Sequence, residues 1–339
     1  MPQEDEAGLT NRNRPEIDAE DVAWKKVHGD VMRTPSFPNI LACFVGSGAQ
    51  LVACFFSLLI AISLAFAKTN WRPYIYTTLM VVMAVFGFLN GYVTSRYLKY
   101  FGTTDWNFSA SVSAFALPCF IMGALGLEQI FAWLARSSLR YSMGQTMLRV
   151  IGWYLLNGTM CYYGAFKGYV QKATVVMPRL GKVIRPIPPQ PYHMSIFVIA
   201  PVFGFIQFAA IYAEFSYLID SIFKSHMYAM FSFLLLNFIL QVLIISLLSC
   251  IQTYMQLCYQ NYEWWWRSFI VGASCAIYIA LYAIWYLATQ MNISDVASDI
   301  GFLIYMYVFV GCYIFAAGAI STQASYFFVS RIYSNQRSE

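Results

Sequence analysis

The chain has 339 residues, of which 59% are hydrophobic and only 11% carry a charge. Soluble domains carry about 25% charged residues, because a surface that faces water needs them. The composition therefore excludes an ordinary soluble domain and indicates a chain that faces the hydrocarbon of a bilayer. The net charge of +5 is small and scattered, and no interleaved basic and aromatic motif accompanies it, which excludes nucleic-acid binding.

The first 38 residues are predicted to form a tail outside the membrane. Residues 1–23 are acidic and polar, lack the apolar core of a signal peptide, and are predicted to be disordered. The expected organisation is a cytosolic tail with a VHGD segment at 1–38, a membrane domain at 39–330 and a cytosolic C-terminal tail at 331–339.

The membrane domain is predicted to be helical. A bilayer core about 30 Å thick requires roughly 20 apolar residues in a helix. Eight stretches meet this requirement, at about 40–67, 73–95, 108–135, 147–168, 195–219, 228–258, 268–290 and 301–329. Because they are continuously apolar rather than alternating, helices are favoured over barrel strands. The predicted fold class is all-α, a polytopic integral membrane protein with about eight transmembrane helices.

The distribution of lysine and arginine predicts the orientation. With an even number of spans, both termini share one side with the second, fourth and sixth loops. That side carries 15 Lys and Arg residues and the opposite side carries 5. Since cytosolic loops are enriched in these residues, both termini are predicted to be cytosolic.

The longest internal loop, at about 169–194, contains the proline-rich sequence RPIPPQPY from Arg185 to Tyr192. Four prolines in six residues exclude a helix and predict a stiff, extended strap. One interpretation is a connector across the face of the bundle. The other is a docking ligand for a proline-reading domain.

Five segments carry a family resemblance. Trp24 to Arg33 is WKKVHGDVMR, Tyr262 to Phe269 is YEWWWRSF, and Phe327 to Ser334 is FFVSRIYS. The other two are the proline-rich Pro186–Tyr192 and Ala213-Glu214-Phe215, an intramembrane glutamate between apolar residues. In sequence, order and spacing, these segments resemble the nonaspanins, the transmembrane-nine superfamily.

The resemblance covers roughly residues 20–339, the C-terminal membrane region of a nonaspanin. A full member is expected to carry before it a signal peptide, a large luminal domain and one more helix. Members usually end in Lys-x-Asp/Glu, a signal for coat-mediated Golgi retention, whereas this chain ends Arg337-Ser338-Glu339. The resemblance implies that Arg337 and Glu339 form a C-terminal sorting signal for coat proteins, although Arg and Lys are not interchangeable where geometry is read.

Three ionisable residues inside predicted spans are candidate intramembrane polar contacts: Glu214, Glu128 and Arg149. A carboxylate in mid-membrane costs roughly 2.5–3.5 kcal/mol, so Glu214 is expected to face the bundle interior or water. One hypothesis makes Glu214 a contact for a polar or cationic group of a client helix, or a protonatable site. The other hypothesis is that Glu214 forms a structural ion pair with Arg149. Glu128 is an equally suitable partner for Arg149, because it is expected at a similar depth in the membrane.

The run Trp264-Trp265-Trp266-Arg267 begins the seventh predicted span. Three consecutive indoles point around a helix, so the run is interpreted as an interfacial anchor, with Arg267 reaching lipid phosphates. A specific pocket for a lipid headgroup is the alternative.

The sequence predicts neither an enzyme nor a bound cofactor or metal. The His28-Gly29-Asp30 segment lacks a surrounding nucleophile or metal constellation, and the eight cysteines form no CxxC. The segment is interpreted as a turn packed under the bundle.

Small and amide residues inside the spans indicate helix packing. The pairs Gly87/Gly91 and Gly164/Gly168 allow close approach of helices. The amides are interpreted as internal hydrogen-bonding groups, with a transport path as the alternative: Asn90, Gln207, Asn237, Gln241, Gln252 and Gln256.

Two functions remain open. The family resemblance implies a non-enzymatic sorting factor of Golgi and endosomal membranes, which assists the membrane localisation of client proteins by contacting their transmembrane helices within the lipid bilayer. The intramembrane carboxylates are compatible with an ion- or proton-coupled transporter.

Overall fold

The computed structural model describes residues 24–65, 75–103, 105–134, 143–171, 185–224, 230–290 and 296–334. Over these residues the chain is helical and contains no strand, which confirms the predicted all-α class. The helices are α1 (Pro38–Ala65), α2 (Ile75–Phe101), α3 (Trp106–Leu134), α4 (Met143–Val170), α5 (Ile196–Lys224), α6 (Met230–Cys258), α7 (Trp264–Ala273), α8 (Cys275–Gln290) and α9 (Val296–Ser334).

The eight predicted stretches coincide with these helices, and the seventh is divided at Ser274 into α7 and α8. Within the described part of the chain, seven spans are long and apolar enough to cross a membrane, with α7 and α8 forming one of them. The exception is α4, which has 28 residues and therefore the length to cross, but a less apolar sequence.

The two ends of the described chain meet at one end of the bundle, which we call the terminal face. The hydroxyl of Tyr333, near the end of α9, donates to the backbone carbonyl of Trp24 at 2.7 Å. Helix α9 has 39 residues and is about 58 Å long, so it extends beyond a bilayer core. The largest apolar core lies at this face and includes Val27, Val31 and Trp265.

The predicted glycine pairs of α2 and α4 pack directly against each other. A Cβ added at Gly91 would lie 1.9 Å from the carbonyl oxygen of Cys161, and one at Gly164 would lie 2.0 Å from that of Phe88. Because only glycine permits such close backbone approach, these glycines form an internal helix–helix interface. They are therefore not part of a client-binding surface.

Buried amides connect the first four helices. Gln50 of α1 donates from Nε2 to Asn157 Oδ1 of α4 and to the Met83 carbonyl of α2, both at 2.8 Å. Its Oε1 accepts from Asn90 Nδ2 of α2 at 3.0 Å, and Asn90 also donates to the Ser113 carbonyl of α3 at 3.1 Å. Since Gln50, Asn90 and Asn157 are fully buried, the network fixes α1–α4 as one unit.

Hydroxyl groups make the equivalent connection between α6, α7 and α9. Ser249 of α6 donates to the Ser321 carbonyl of α9 at 2.7 Å and contacts the Ser268 hydroxyl of α7 at 3.1 Å. Ser325 lies 2.7 Å from the same Ser268 hydroxyl. These serines are buried, and their small side chains let the helices pack closely while hydrogen bonds join them.

Candidate functional site

A cavity of about 290 Å³ lies between α1, α5, α6, α8 and α9. Most of its wall is apolar, with Leu51, Ile211, Phe238 and Phe309 among the lining residues. Glu214 of α5 and the amides Asn237 and Gln241 of α6 also line it. An apolar cavity with a few polar groups is the usual form of a binding site, which makes this cavity the candidate functional site.

The helical repeat explains why these polar groups share the cavity. On α5, Ile211, Glu214 and Phe215 follow the i, i+3, i+4 spacing that places side chains on one face. On α6, Asn237 and Gln241 are four residues apart and therefore also share a face. Two such faces meet at the cavity, so the carboxylate and the amides line one space.

Each of the three polar side chains has a buried oxygen that accepts no hydrogen bond from the described residues: Glu214 Oε2, Asn237 Oδ1 and Gln241 Oε1. The Gln241 amide nitrogen donates to the Tyr313 hydroxyl at 2.6 Å, which holds the side chain in place. A buried acceptor without a donor costs about 1–3 kcal/mol. The cavity is therefore chemically prepared for a group that donates hydrogen bonds or carries positive charge.

The depth of Glu214 strengthens this conclusion. The residue lies five positions before the end of the predicted span at 195–219, about 7.5 Å along the helix axis, and within the candidate span Ile196–Tyr217. A carboxylate within a span is costly, by roughly 2.5–3.5 kcal/mol at the helix centre, unless it is paired or faces water. The structure places it at the cavity, as expected for a residue that faces the bundle interior.

Glu128 lies at a different site. Its Oε1 accepts a hydrogen bond from the Tyr305 hydroxyl of α9 at 2.8 Å. The side chain of Arg149 lies outside the described residues, so its pairing with Glu128 or with Glu214 stays a prediction.

A second, larger cavity of about 620 Å³ continues from the first toward the terminal face, between α1, α2, α6 and α9. The two cavities share the lining residues Val52, Phe238, Val242 and Ile320. We call the combined space the α6 groove. Its wall in the second cavity includes the small residues Ala49, Ala53 and Ala319, and Gln323 lies at its far end.

The other predicted amides take structural positions. Asn90 belongs to the network of α1–α4, and Gln207 of α5 donates to the Val271 carbonyl of α7 at 3.1 Å. Gln252 donates to Gln256 one turn later on α6, at 2.8 Å. Only Asn237 and Gln241, among the six predicted amides, line the candidate site.

The three tryptophans that the sequence suggests as a lipid anchor contact the protein's own backbone. Trp264 and Trp265 are 0% and 1% exposed, and Trp266 is partly buried. Their indole nitrogens donate to the carbonyls of Val31, Arg33 and Ser36, at 2.9, 3.1 and 2.6 Å respectively. Although consecutive indoles point around the helix, all three bind one segment because residues 31–36 extend along the start of α7.

The interfacial-anchor interpretation is thereby corrected for Trp264 and Trp265, since the chain before α1 covers both rings. Arg267, expected at lipid phosphates, donates from a guanidinium nitrogen to the Met194 carbonyl at 2.9 Å. This run therefore joins the beginnings of α1, α5 and α7 at the terminal face. Nothing in the sequence of the tryptophan run or of the VHGD segment indicated that the two segments would contact each other.

The VHGD segment forms the predicted turn. Lys25–Val27 is a single 3-10 turn, and Asp30 pairs with Arg33 at 2.5 Å. The His28 ring lies 5.7 Å from the Tyr333 ring, centroid to centroid. Arg337 and Glu339, the candidate sorting signal, lie outside the described residues.

Long apolar helices, buried amide and hydroxyl networks, and a carboxylate inside a span define a polytopic α-helical membrane protein. The family model described as Endomembrane protein 70 matches residues 3–296, and the chain belongs to this family.

The chain is similar to proteins of the Transmembrane 9 superfamily, which confirms the nonaspanin resemblance. It is 29% identical to member 10 of Arabidopsis thaliana over 316 residues, 93% of this chain and 50% of that protein. It is also 29% identical to member 2 of Homo sapiens over 315 residues, 93% of this chain and 48% of that protein. It is likewise 29% identical to member 4 of Homo sapiens over 329 residues, 96% of this chain and 51% of that protein.

The chain spans about half the length of the curated relatives it matches. No solved structure matches it. Family membership supports a membrane protein of the endomembrane system.

Proposed function

We propose that the chain is a non-enzymatic sorting factor of Golgi and endosomal membranes, which binds transmembrane helices of client proteins and assists their localisation. The observation that carries this proposal is the α6 groove, an apolar space inside the membrane region that contains three buried oxygens for which the described residues provide no donor. Endomembrane family membership supports the cellular setting.

The shape and lining of the groove suit a helix. Lipid chains are as apolar as leucine, so helices associate in a bilayer through close packing and hydrogen bonds rather than through the hydrophobic effect. The groove wall contains three alanines, whose small side chains allow a second helix to approach closely: Ala49, Ala53 and Ala319. Large side chains such as Phe55 and Phe238 complete the apolar wall.

The polar end of the groove supplies selectivity. A helix that carries a polar or cationic side chain in its span pays a cost in lipid, which a partner of opposite character removes. Glu214, Asn237 and Gln241 offer acceptors that such a side chain would satisfy. Clients with a donor at the matching depth are therefore expected to bind better than fully apolar helices.

The tails add the remaining elements of the proposal. Both termini are proposed to be cytosolic, from the distribution of Lys and Arg. Arg337 and Glu339 would then be accessible to coat proteins, which would return the protein to the Golgi.

A designed client tests this function. A single-span leucine–alanine helix with one lysine at the depth of Glu214 is co-expressed with the full chain, which carries a photo-crosslinkable residue at Ala53 in the groove. The same probe at Ile277, which is 59% exposed on α8 and outside the groove, is the positional control. Crosslinking from position 53 is expected to exceed that from position 277, and to exceed that of a client with leucine in place of lysine.

Two substitutions assign the effect to the carboxylate. Glu214→Gln is expected to reduce the yield of crosslinking from position 53 about tenfold. Glu128→Gln, at a carboxylate that accepts a hydrogen bond from Tyr305, is expected to leave this yield unchanged. Equal crosslinking of the lysine and leucine helices, or no effect of Glu214→Gln, would contradict client binding at the groove.

The same three oxygens also favour a second candidate, an ion- or proton-coupled transporter, because a cation satisfies orphan acceptors as well as a side chain does. Purified protein in liposomes separates the two functions. Solute or ion uptake that Glu214→Gln abolishes would establish transport, whereas a sorting factor shows altered client trafficking with no uptake.

A further inference from the structure

The proline-rich strap has a conformation that its sequence dictates almost completely. In Arg185–Pro191, Pro186, Pro188, Pro189 and Pro191 have φ fixed near −65° by their rings. The other three residues each precede a proline, which restricts them to extended conformations. Residues 185–191 accordingly form no helix or strand, and Pro191 has φ −65° and ψ 154°. These are polyproline II angles.

A polyproline II helix has three residues per turn, so residues three apart share a face. One face of the strap turns toward the bundle: Gln190 donates to the Tyr259 carbonyl at 3.1 Å, and Ile187, one turn earlier, is partly buried. Another face consists of Pro186 and Pro189, which are both exposed. Tyr192, the first residue of the 3-10 turn Tyr192–Met194 that follows, is 85% exposed. We call these three residues the outer ridge.

The strap is held at its C-terminal end. Met194 is fully buried, and its carbonyl accepts from Arg267 at 2.9 Å. A His193 ring nitrogen lies 3.1 Å from the Tyr259 hydroxyl. The ridge is thus presented from an anchored segment, and a ligand held in its bound conformation loses less entropy on binding.

We propose that the outer ridge is a docking surface for a proline-reading protein module, whose groove is lined by aromatic side chains and bordered by acidic ones. Such grooves recognise polyproline II helices through proline rings at threefold spacing, which Pro186 and Pro189 provide. The acidic border follows from charge, because the exposed Arg185 directly precedes the ridge. This inference does not depend on client binding, since the strap shares no residue with the α6 groove.

The proposal is tested by measuring the binding of a panel of purified SH3, WW and EVH1 domains to the full chain in lipid nanodiscs. At least one domain is expected to bind saturably. The double variant Pro186→Ala/Pro189→Ala is expected to weaken that binding at least tenfold, whereas Ile187→Val on the inward face is expected to change it less than twofold. Because the substituted prolines are exposed and Ile187→Val removes a single methylene group, both variants should elute as the parent does and unfold at the same temperature.

Three results would overturn the proposal. The first is the absence of binding by every domain of the panel. The second is binding that the double variant leaves intact, and the third is binding that Ile187→Val reduces as strongly as the double variant does. A Tyr192→Ala variant locates the end of the ridge, since its binding should fall while the elution profile stays that of the parent.

Discussion

The indole nitrogen of Trp264 donates a hydrogen bond to the backbone carbonyl of Val31, 233 residues earlier in the chain, at 2.9 Å. Both residues are almost completely buried. Together with the bond from Tyr333 to the Trp24 carbonyl, this contact joins the segment before α1 to the start of α7 and the end of α9. The terminal face is therefore closed by tertiary hydrogen bonds rather than by lipid contacts.

Removing the donor at Trp264 should destabilise the protein. In Trp264→Phe, the Val31 carbonyl is left buried without its partner, which costs about 1–3 kcal/mol. The midpoint of thermal unfolding in detergent should fall, as measured by light scattering during heating. Trp133→Phe is the matched control, because Trp133 is 57% exposed, and it should leave the midpoint unchanged. Equal midpoints for the two variants would show that the indole bond contributes nothing.

The glycine interface of α2 and α4 predicts that adding a single methyl group there lowers the stability of the protein. In Gly91→Ala the new Cβ would meet the Cys161 carbonyl oxygen at 1.9 Å, so the helices must separate. Overpacking of this kind costs about 1–3 kcal/mol.

Gly126→Ala on α3 is the comparison for that substitution, since a Cβ added there has no described neighbour within 4 Å outside its own stretch of helix. Its expected effect is neutral or slightly stabilising, because alanine favours the helix. Thermal unfolding of the two variants measures the difference. If Gly91→Ala were as stable as Gly126→Ala, the backbones of α2 and α4 would have to lie farther apart than the structure shows.

The Gln50–Asn157 bond predicts energetic coupling between α1 and α4. Gln50→Leu removes the donor to Asn157 Oδ1 and one of the two acceptors of Asn90 Nδ2 in a fully buried site, so stability should fall. The double variant with Asn157→Leu should lose less than the sum of the two single losses. A coupling of about 0.6–1.7 kcal/mol is expected from such cycles in membrane proteins. Additive losses would mean that the two amides act independently.

Hydropathy predicted which segments become helices, but not which helices become neighbours. In water an amphipathic stripe reveals the buried face of a helix, whereas in lipid an apolar side chain fits both the core and the bilayer. The pairing of Gly91 with the Cys161 carbonyl, and the contact of Gln50 with Asn157, therefore left no periodic signal in the sequence. Close approach of two helices depends on the side chains of both, and the sequence of one helix does not show which other helix will pack against it.

The candidate site was predictable in part. Glu214 was recognisable because a carboxylate is rare and costly inside a span, and this cost predicted an inward position. Asn237 and Gln241 were recognisable only as amides, and four other amides of the same description proved structural or paired within a helix. Asn237 and Gln241 differ from the other four in lining the cavity, which depends on helix packing and not on residue type.

Three oxygens of the candidate site have no donor among the described residues, which predicts that replacing Glu214 by an apolar residue stabilises the protein. In Glu214→Leu the costly intramembrane carboxylate disappears and the cavity becomes fully apolar, so the midpoint of thermal unfolding should rise. Glu128→Leu should raise it less, because the gain from removing that carboxylate is offset by the loss of its hydrogen bond from the Tyr305 hydroxyl. Unfolding of both variants in the same detergent measures the contrast. A lower midpoint for Glu214→Leu would mean that the carboxylate is a structural partner, with the side chain of Arg149 as the first candidate for its counter-charge.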